Sequence, residues 1–209
     1  MSNPMRPLTT VATLSLLMLA PLSAQAATPP NELPVQGLQR VEDSDLDKVY
    51  VRPGTDLRSY GKVLLAPINV AVTRERGDLE FSDRDRRHAA EYFTERLRKS
   101  LGSAVTEQPG PGVLRLEVTV TEFVPNSPAD PRRRFGGYFL DSVGVGAAAF
   151  QATLTDSQSG QVVAVLADAD VGAPFPENLN IRTEYGDADN FLRRWARQIA
   201  GLVESGPKG

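Results

Sequence analysis

The chain has 209 residues, with 26 acidic against 23 basic side chains and a formal net charge of -3. This mildly acidic balance argues against nucleic acid as a principal partner, because proteins that bind it usually carry a strong basic excess. The sequence contains no cysteine, which excludes disulfides, thiolate metal sites, cysteine nucleophiles and a lipidated cysteine anchor.

The first 26 residues have the pattern of a secretory signal peptide. Arg6 supplies positive charge, residues 11–22 form an apolar run, and residues 23–26 end in the small-x-small pattern that leader peptidase accepts. A membrane-spanning helix needs about 20 apolar residues, whereas this run is shorter and interrupted by Pro21. We therefore expect cleavage after Ala26, a periplasmic location and no transmembrane segment in the mature chain.

The remaining residues have the length of one domain rather than two. The proline-rich start of residues 27–45 predicts a flexible N-terminal segment, and residues 46–205 are expected to form the single domain. Residues 62–72 are rich in branched apolar side chains and predict a strand. Pro67 within it cannot donate to a sheet ladder, so this strand should lie at an edge or carry a bulge.

The first helix is predicted to open at Ser82, with Asp85 three residues later completing a capping box. Apolar residues then recur every four positions from Ala89 to Leu101, which predicts one core-facing side. Gly102 suits the end of the helix.

Three further strands are predicted. Residues 113–124 alternate apolar and polar side chains, and the alternation breaks near Phe123, which indicates a bulge. Residues 143–155 and 161–171 predict a hairpin around the turn of residues 156–160. In its second strand Asp168 and Asp170 are expected on the solvent face.

A last helix follows, with Asp187 or Asp189 as its cap and Trp195 on its apolar side. The element order is strand, helix, three strands, helix. This order predicts an α+β fold with a single two-layer domain, in which two helices pack on one face of a four-stranded, mostly antiparallel sheet.

Four stretches together resemble the bacterial family of proteins catalogued as domain of unknown function 3313. They are VYVRPGTDLRSYGKVLLAPINV (49–70), GPGVLRLEVTVTEFVP (110–125), FQATLTDSQSGQVVA (150–164) and NFLRRWARQI (190–199). The resemblance implies an envelope protein of Gram-negative bacteria and implies no activity. Members are commonly lipoproteins, whereas this chain has no lipobox cysteine, so membrane anchoring is not carried over.

Catalytic patterns are weak. His88 is the only histidine, so neither a metal site nor a catalytic triad has a second imidazole, and we interpret His88 as a surface or boundary residue. Gly144 and Gly146 lack the third glycine and the following helix of a nucleotide-binding loop. We attribute them to close packing or to a strand bend. No catalytic residue, cofactor or metal ligand is assigned.

The loop of residues 126–138 carries the most distinctive surface chemistry. Its candidate partner-binding residues are Arg132, Arg133, Arg134, Phe135 and Tyr138. Arginines beside aromatic rings could bind an anionic ligand or an acidic envelope protein. The alternative is a solvated loop whose charges offset an acidic domain.

Two functions follow from these observations. The first is a non-enzymatic binding or accessory component of the cell envelope, with the Pro67 strand or the arginine loop as its contact surface. The second is a carboxylate-dependent hydrolase using Asp141, Asp168 or Asp170, which requires two of them to converge in a pocket.

Overall fold

The computed structural model describes residues 33–42, 44–72, 81–128, 134–135, 138–139, 142–144, 146–172 and 183–206. It contains two long helices, α1 (Asp83–Leu101) and α2 (Gly186–Ser205). Single 3-10 turns occupy Leu57–Ser59 and Gly102–Ala104.

Twelve strands occur in the described residues. They are β1 (Gln39–Val41), β2 (Lys48–Val51), β3 (Lys62–Leu65), β4 (Asn69–Val70), β5 (Val105–Thr106), β6 (Val113–Val124), β7 (Ser127–Pro128), β8 (Arg134–Phe135), β9 (Tyr138–Phe139), β10 (Ser142–Gly144), β11 (Ala147–Asp156) and β12 (Val162–Val171).

Eight of these strands form one mixed sheet, and β7–β10 and β8–β9 form two small separate pairs. The order across the sheet is β1-β2-β12-β11-β6-β3-β5, with β4 also pairing with β6. The pairs that involve β3 or β4 are parallel, and the others are antiparallel. The expected α+β class is confirmed, but a sheet of four strands was too small. The added strands are too short to produce a recognisable alternation of apolar and polar residues.

The first strand of the sheet begins at an earlier residue than the sequence predicted. Strand β1 lies within residues 27–45, the stretch expected to be flexible, and pairs with β2 through Arg40 and Tyr50. Backbone pairing holds this part of the stretch on the sheet.

Pro67 divides the predicted strand of residues 62–72 into β3 and β4. Leu65 pairs with Leu116, and Asn69 pairs with Thr119. Between these two pairs, the chain from β3 to β4 therefore contains one residue more than β6 does. An extra residue on one of two paired strands is a bulge. The interruption expected from the missing N–H of Pro67 is confirmed.

A second irregularity lies in β6, the longest strand of the sheet. Ala149 of β11 pairs with Glu122, but the next residue, Phe150, pairs with Val120. Thr121 is the extra residue, so the bulge predicted near Phe123 is confirmed within two positions.

The first helix begins as predicted and the second does not. Ser82 caps α1, and the reciprocal bonds with Asp85 complete the capping box. Helix α2 begins after Tyr185 without a side-chain cap, so the expected cap by Asp187 or Asp189 was wrong. Both carboxylates lie in the first turn instead, where the helix dipole favours negative charge.

Both helices pack on the same face of the sheet. The core is centred on Phe93 of α1, Phe150 of β11 and Trp195 of α2, each at most 1% exposed. The Phe150 ring lies 5.9 Å from Phe93 and 4.8 Å from Trp195, between centroids. Burying such rings stabilises the fold by about 1.5–3 kcal/mol each, and one sheet residue thereby positions both helices.

Candidate functional site

Polar side chains are buried where α2 meets the end of the sheet. Asn126 follows β6, Gly146 precedes β11, and Asp187 lies in the first turn of α2. The amide of Gly146 donates to Asn126 Oδ1 and to Asp187 Oδ2, each at 3.1 Å. Asn126 and Asp187 are 2% and 1% exposed. These bonds fix the start of α2 on the sheet.

Gly146 has no side chain because none would fit. A Cβ atom there would lie 2.5 Å from Asn126 Oδ1 and 3.0 Å from the carbonyl oxygen of Val124. The close packing expected for this glycine is confirmed. The chain continues from it into a strand and not into the helix that a phosphate-binding loop requires.

A second polar group joins the starts of the two helices. We call Asp85, His88, Tyr185 and Asp189 the helix clasp. Tyr185 donates a hydrogen bond to Asp85 Oδ1 at 2.7 Å, and its ring stacks on His88 with 4.0 Å between centroids. His88 Nε2 lies 2.8 Å from Asp189 Oδ1. Because α1 and α2 meet at their first turns, they run side by side in the same direction.

The pKa values of the two acids in the helix clasp, Asp85 and Asp189, are shifted in opposite directions. Burial alone would raise the pKa of Asp85, but hydrogen bonds from Tyr185 and Ser82 outweigh it and hold the pKa below its usual value. Burial raises the pKa of Asp189, and the contact with His88 opposes this only in part. Burial and the neighbouring Asp85 also raise the pKa of Tyr185.

In a His–Asp pair the aspartate can orient the histidine as a general base, which then activates a nearby hydroxyl. A serine hydroxyl, that of Ser82, is bonded to Asp85 of the helix clasp. The capping residue Ser82 donates to Asp85 Oδ2 at 2.7 Å and is therefore committed to the helix cap. The helix clasp thus holds the starts of the two helices together. His88 is partly exposed, with 30% of its side chain accessible, so the predicted boundary position is confirmed. No sequence pattern indicated its contacts with Tyr185 and Asp189, which lie about 100 residues away along the chain.

The two aspartates of β12 do not lie on the solvent face. Asp168 is 9% exposed and pairs across the sheet with the core residue Phe150, on the helix side. Asp170 forms an ion pair with Arg194 of α2. The prediction that both aspartates face solvent was wrong. The side of β12 that carries them faces α2, and α2 carries the complementary charge of Arg194.

Asp168 and Asp170 also differ in their surroundings. Burial and the charge of Asp47 raise the pKa of Asp168, whereas the Asp170 carboxylate is occupied by Arg194. None of the grooves described below is lined by either aspartate. Asp141, the third carboxylate considered, lies outside the described residues.

On the sheet face opposite the helices, the described residues form a groove of about 580 Å³. We call it the sheet groove. Pro67 lines one wall, Pro34 also borders it, and its floor carries Thr119, Gln151 and Thr153. The Thr119 and Thr153 hydroxyls make no hydrogen bond to another described residue, so they are available to a ligand.

A smaller groove of about 360 Å³ lies between α2 and the segment before β2. Its lining includes Asp45, Gln198 and Arg194. Gln198 donates to the carbonyl oxygen of Asp45 at 2.8 Å, so this cleft is partly closed by its own polar contacts.

The arginine loop is described only in part. Arg132 and Arg133 lie outside the described residues, and Arg134 and Phe135 form β8. In the small β8–β9 pair Phe135 is the backbone partner of Tyr138.

Among the described residues, no group of three or more His, Asp or Glu side chains could hold a metal ion. The helices within the described ranges are too short or too polar to cross a membrane.

A family model described as "Protein of unknown function (DUF3313)" matches residues 31–199. The match covers most of the chain, and the chain therefore belongs to this family. The resemblance seen in the four sequence stretches is confirmed. Among curated proteins, none matches this chain.

Solved structures resemble this chain at low identity. The PelC dodecamer from Paraburkholderia phytofirmans is 15% identical, with a TM-score of 0.40 over 72% of this chain and 96% of that one. The hypothetical protein CT253 from Chlamydia trachomatis is 11% identical, with a TM-score of 0.41 over 68% and 97%. A minor lipoprotein from Acinetobacter baumannii is 12% identical, with a TM-score of 0.33 over 70% and 94%.

Proposed function

We propose that this protein is a non-enzymatic binding or accessory component of the bacterial cell envelope. The observation that carries the proposal is the sheet groove. It is the largest of the three grooves described here, and its floor offers hydrogen-bonding groups rather than titratable residues poised for catalysis. The two carboxyls whose pKa is raised, Asp168 and Asp189, do not line it.

The chemistry of the sheet groove suits recognition. Arg115 and Glu117 at its edge neutralise each other through an ion pair of 2.9 Å, so the lining has little net charge. Hydroxyl groups on a rigid sheet orient a polar ligand at low entropic cost. The Pro67 bulge supplies a wall that a regular strand would lack.

The arginine loop is proposed as a further contact, with Arg132, Arg133, Arg134, Phe135 and Tyr138 meeting an anionic ligand or envelope protein. Replacing the three arginines with alanine should weaken that association. An unchanged association would remove the loop from the proposal.

The proposed location is the periplasm, with the signal peptide cleaved after Ala26. Native mass spectrometry of protein purified from its own periplasm tests this, and a mass that retains residues before Ala27 would contradict it.

The sheet groove is tested by filling it. Thr153→Tyr places a β-compatible ring on the floor, whereas Thr155→Tyr changes the next residue on the same face, which does not line the groove. We expect the wild type and Thr155→Tyr to carry the same added mass of ligand or partner, and Thr153→Tyr to lose it. A bare monomer in all three, or equal retention in all three, would contradict the proposal.

A further inference from the structure

The outward side of the helix pair carries a groove of about 440 Å³. We call it the basic groove. Arg96 and Lys99 of α1 form one wall, and Arg193 and Arg197 of α2 form the other. The spacing of three residues on one helix and four on the other places each pair on the same side of its helix. Four cations therefore line one recess.

These charges are poorly neutralised by the described part of the protein. Lys99 and Arg197 make no ion pair or hydrogen bond there, and the nearest carboxylate to Arg96 is that of Glu95, 3.9 Å away. The Nε atom of Arg96 is buried without a hydrogen-bond partner. Two further acids of the described residues lie near the ends of the groove. Asp189 lies within electrostatic reach of Arg96 and Arg193, and Glu204 lines the groove farther along α2.

Such a cluster is unfavourable in the isolated protein, because like charges one helical turn apart repel. A general attraction of the protein to polyanions does not explain this cluster of cations, because the whole chain has a net charge of -3. The positive potential is local, which points to a partner that fits the groove.

The lining also indicates the shape of that partner. Ala200, 4% exposed, lies at the floor, and the exposed Gly201 beside it has no atom within 4 Å of the place where a Cβ would stand. Small residues between cationic walls let another backbone approach closely. The lining from Arg193 to Glu204 extends about 16 Å along α2, roughly three helical turns.

We propose that the basic groove binds an acidic α-helical segment of a partner protein, whose Asp or Glu side chains meet the cations of both walls. This site is separate from the sheet groove and does not depend on the function proposed there. A lipid surface fits less well, because the only large hydrophobic side chain exposed in the described ranges is Val171, at the end of β12. A glycan fits less well, because the lining contains no aromatic ring for a sugar to stack on.

The probe is a labelled three-turn peptide of alanine and glutamate, with glutamates four residues apart, measured by fluorescence anisotropy. Polyphosphate and phosphatidylglycerol vesicles are measured in parallel. The charge variant is Arg197→Gln. Its matched control is Arg87→Gln, which changes an equally exposed α1 arginine that lies nine positions before Arg96 and therefore on the opposite side of the helix.

We expect Arg197→Gln to weaken peptide binding about tenfold, the usual effect of losing one charge-assisted contact, and Arg87→Gln to leave it unchanged. Arg197→Gln should also unfold at higher denaturant concentration, because the repulsion in the empty groove is reduced. A merely structural role for Arg197 would give the opposite change in stability.

A second variant separates chain docking from simple charge attraction. Gly201→Leu narrows the groove beside Ala200 without altering charge, and the open space around Gly201 allows the change in the free protein. We expect it to abolish peptide binding and to leave any binding of polyphosphate unaffected. Absence of peptide binding at millimolar concentration, equal affinity of Gly201→Leu and wild type for the peptide, or tighter Arg197-dependent binding of vesicles or polyphosphate than of the peptide would overturn the proposal.

Discussion

The phenolic oxygen of Tyr185 lies 2.7 Å from Oδ1 of Asp85. This bond joins the residue before α2 to the capping box of α1. The two helices therefore start from one fixed point, although the sequence separates them by most of the domain. The same ring covers His88, so one tyrosine organises the whole helix clasp.

Replacing Tyr185 with phenylalanine should destabilise the protein by about 1.5–3 kcal/mol, the usual worth of a hydrogen bond to a charged group. The phenylalanine ring still stacks on His88, so the loss of stability measures the contribution of the hydroxyl group alone. Chemical denaturation measures the change.

Tyr60→Phe provides the control, because Tyr60 also donates to an aspartate, Asp156, but in a more exposed position and at 3.1 Å. Its effect should be clearly smaller. Equal losses in the two variants would mean that the Tyr185–Asp85 bond does not join the helices.

The stability of the protein should fall in acid through Asp85. Its pKa in the folded state is lowered from the ordinary value of 3.8, so its stabilising contribution is complete above about pH 4 and is lost as the pH falls through the lowered value. Asp85→Asn should be less stable than the wild type at pH 7, and the difference should shrink below pH 4. Urea midpoints between pH 7 and 2.5 measure this, and a constant difference would contradict it.

Asp168 should have the opposite pH dependence. Its folded-state pKa is raised by burial and by Asp47, so its ionisation costs stability as the pH rises through that value. Asp168→Asn removes this cost and should be more stable than the wild type at pH 7, with the gain disappearing in acid. The same urea series tests it.

Asp170→Asn is the matched change two residues along the strand. It leaves Arg194 without its carboxylate partner and should cost about 1 kcal/mol, as for a partly exposed ion pair. If both asparagine variants changed stability in the same direction, the distinction between the two aspartates would be wrong.

Gly146→Ala should destabilise the fold by about 1–3 kcal/mol, because the added methyl group overlaps Asn126 and the backbone of β6. Gly61→Ala, where a Cβ would meet nothing within 4 Å, should be nearly neutral. Thermal unfolding of the two variants compares a crowded glycine with an open one. Similar shifts would contradict the packing described at the start of α2.

Local chemistry determined much of the fold that could be predicted. The bulge at Pro67, the capping box at Ser82 and the alternation along β6 depend on residues close together in sequence, so each was visible without a structure. The short strands β1, β4 and β5 were not, because two or three residues carry no period and their pairing depends on distant partners.

The same distinction explains the candidate sites. The solvent position expected for Asp168 and Asp170 failed because alternation along a strand separates its two faces but does not say which face a helix covers. The partners of His88 and the two walls of the basic groove come from different helices, and their juxtaposition is a property of tertiary packing alone. The arginine loop was found because its residues are consecutive.

The pairing of β2 with β12 has a kinetic consequence. Val49 lies near the start of the domain, and its partner Leu166 lies in the last strand of the sheet, so this pairing cannot form until β12 is available. Contacts between such distant positions slow folding, because a large loop must close before they form. A chain synthesised from its N-terminus could therefore pair β2 only with β1 for most of its synthesis, and the contact of β2 with β12 would form late.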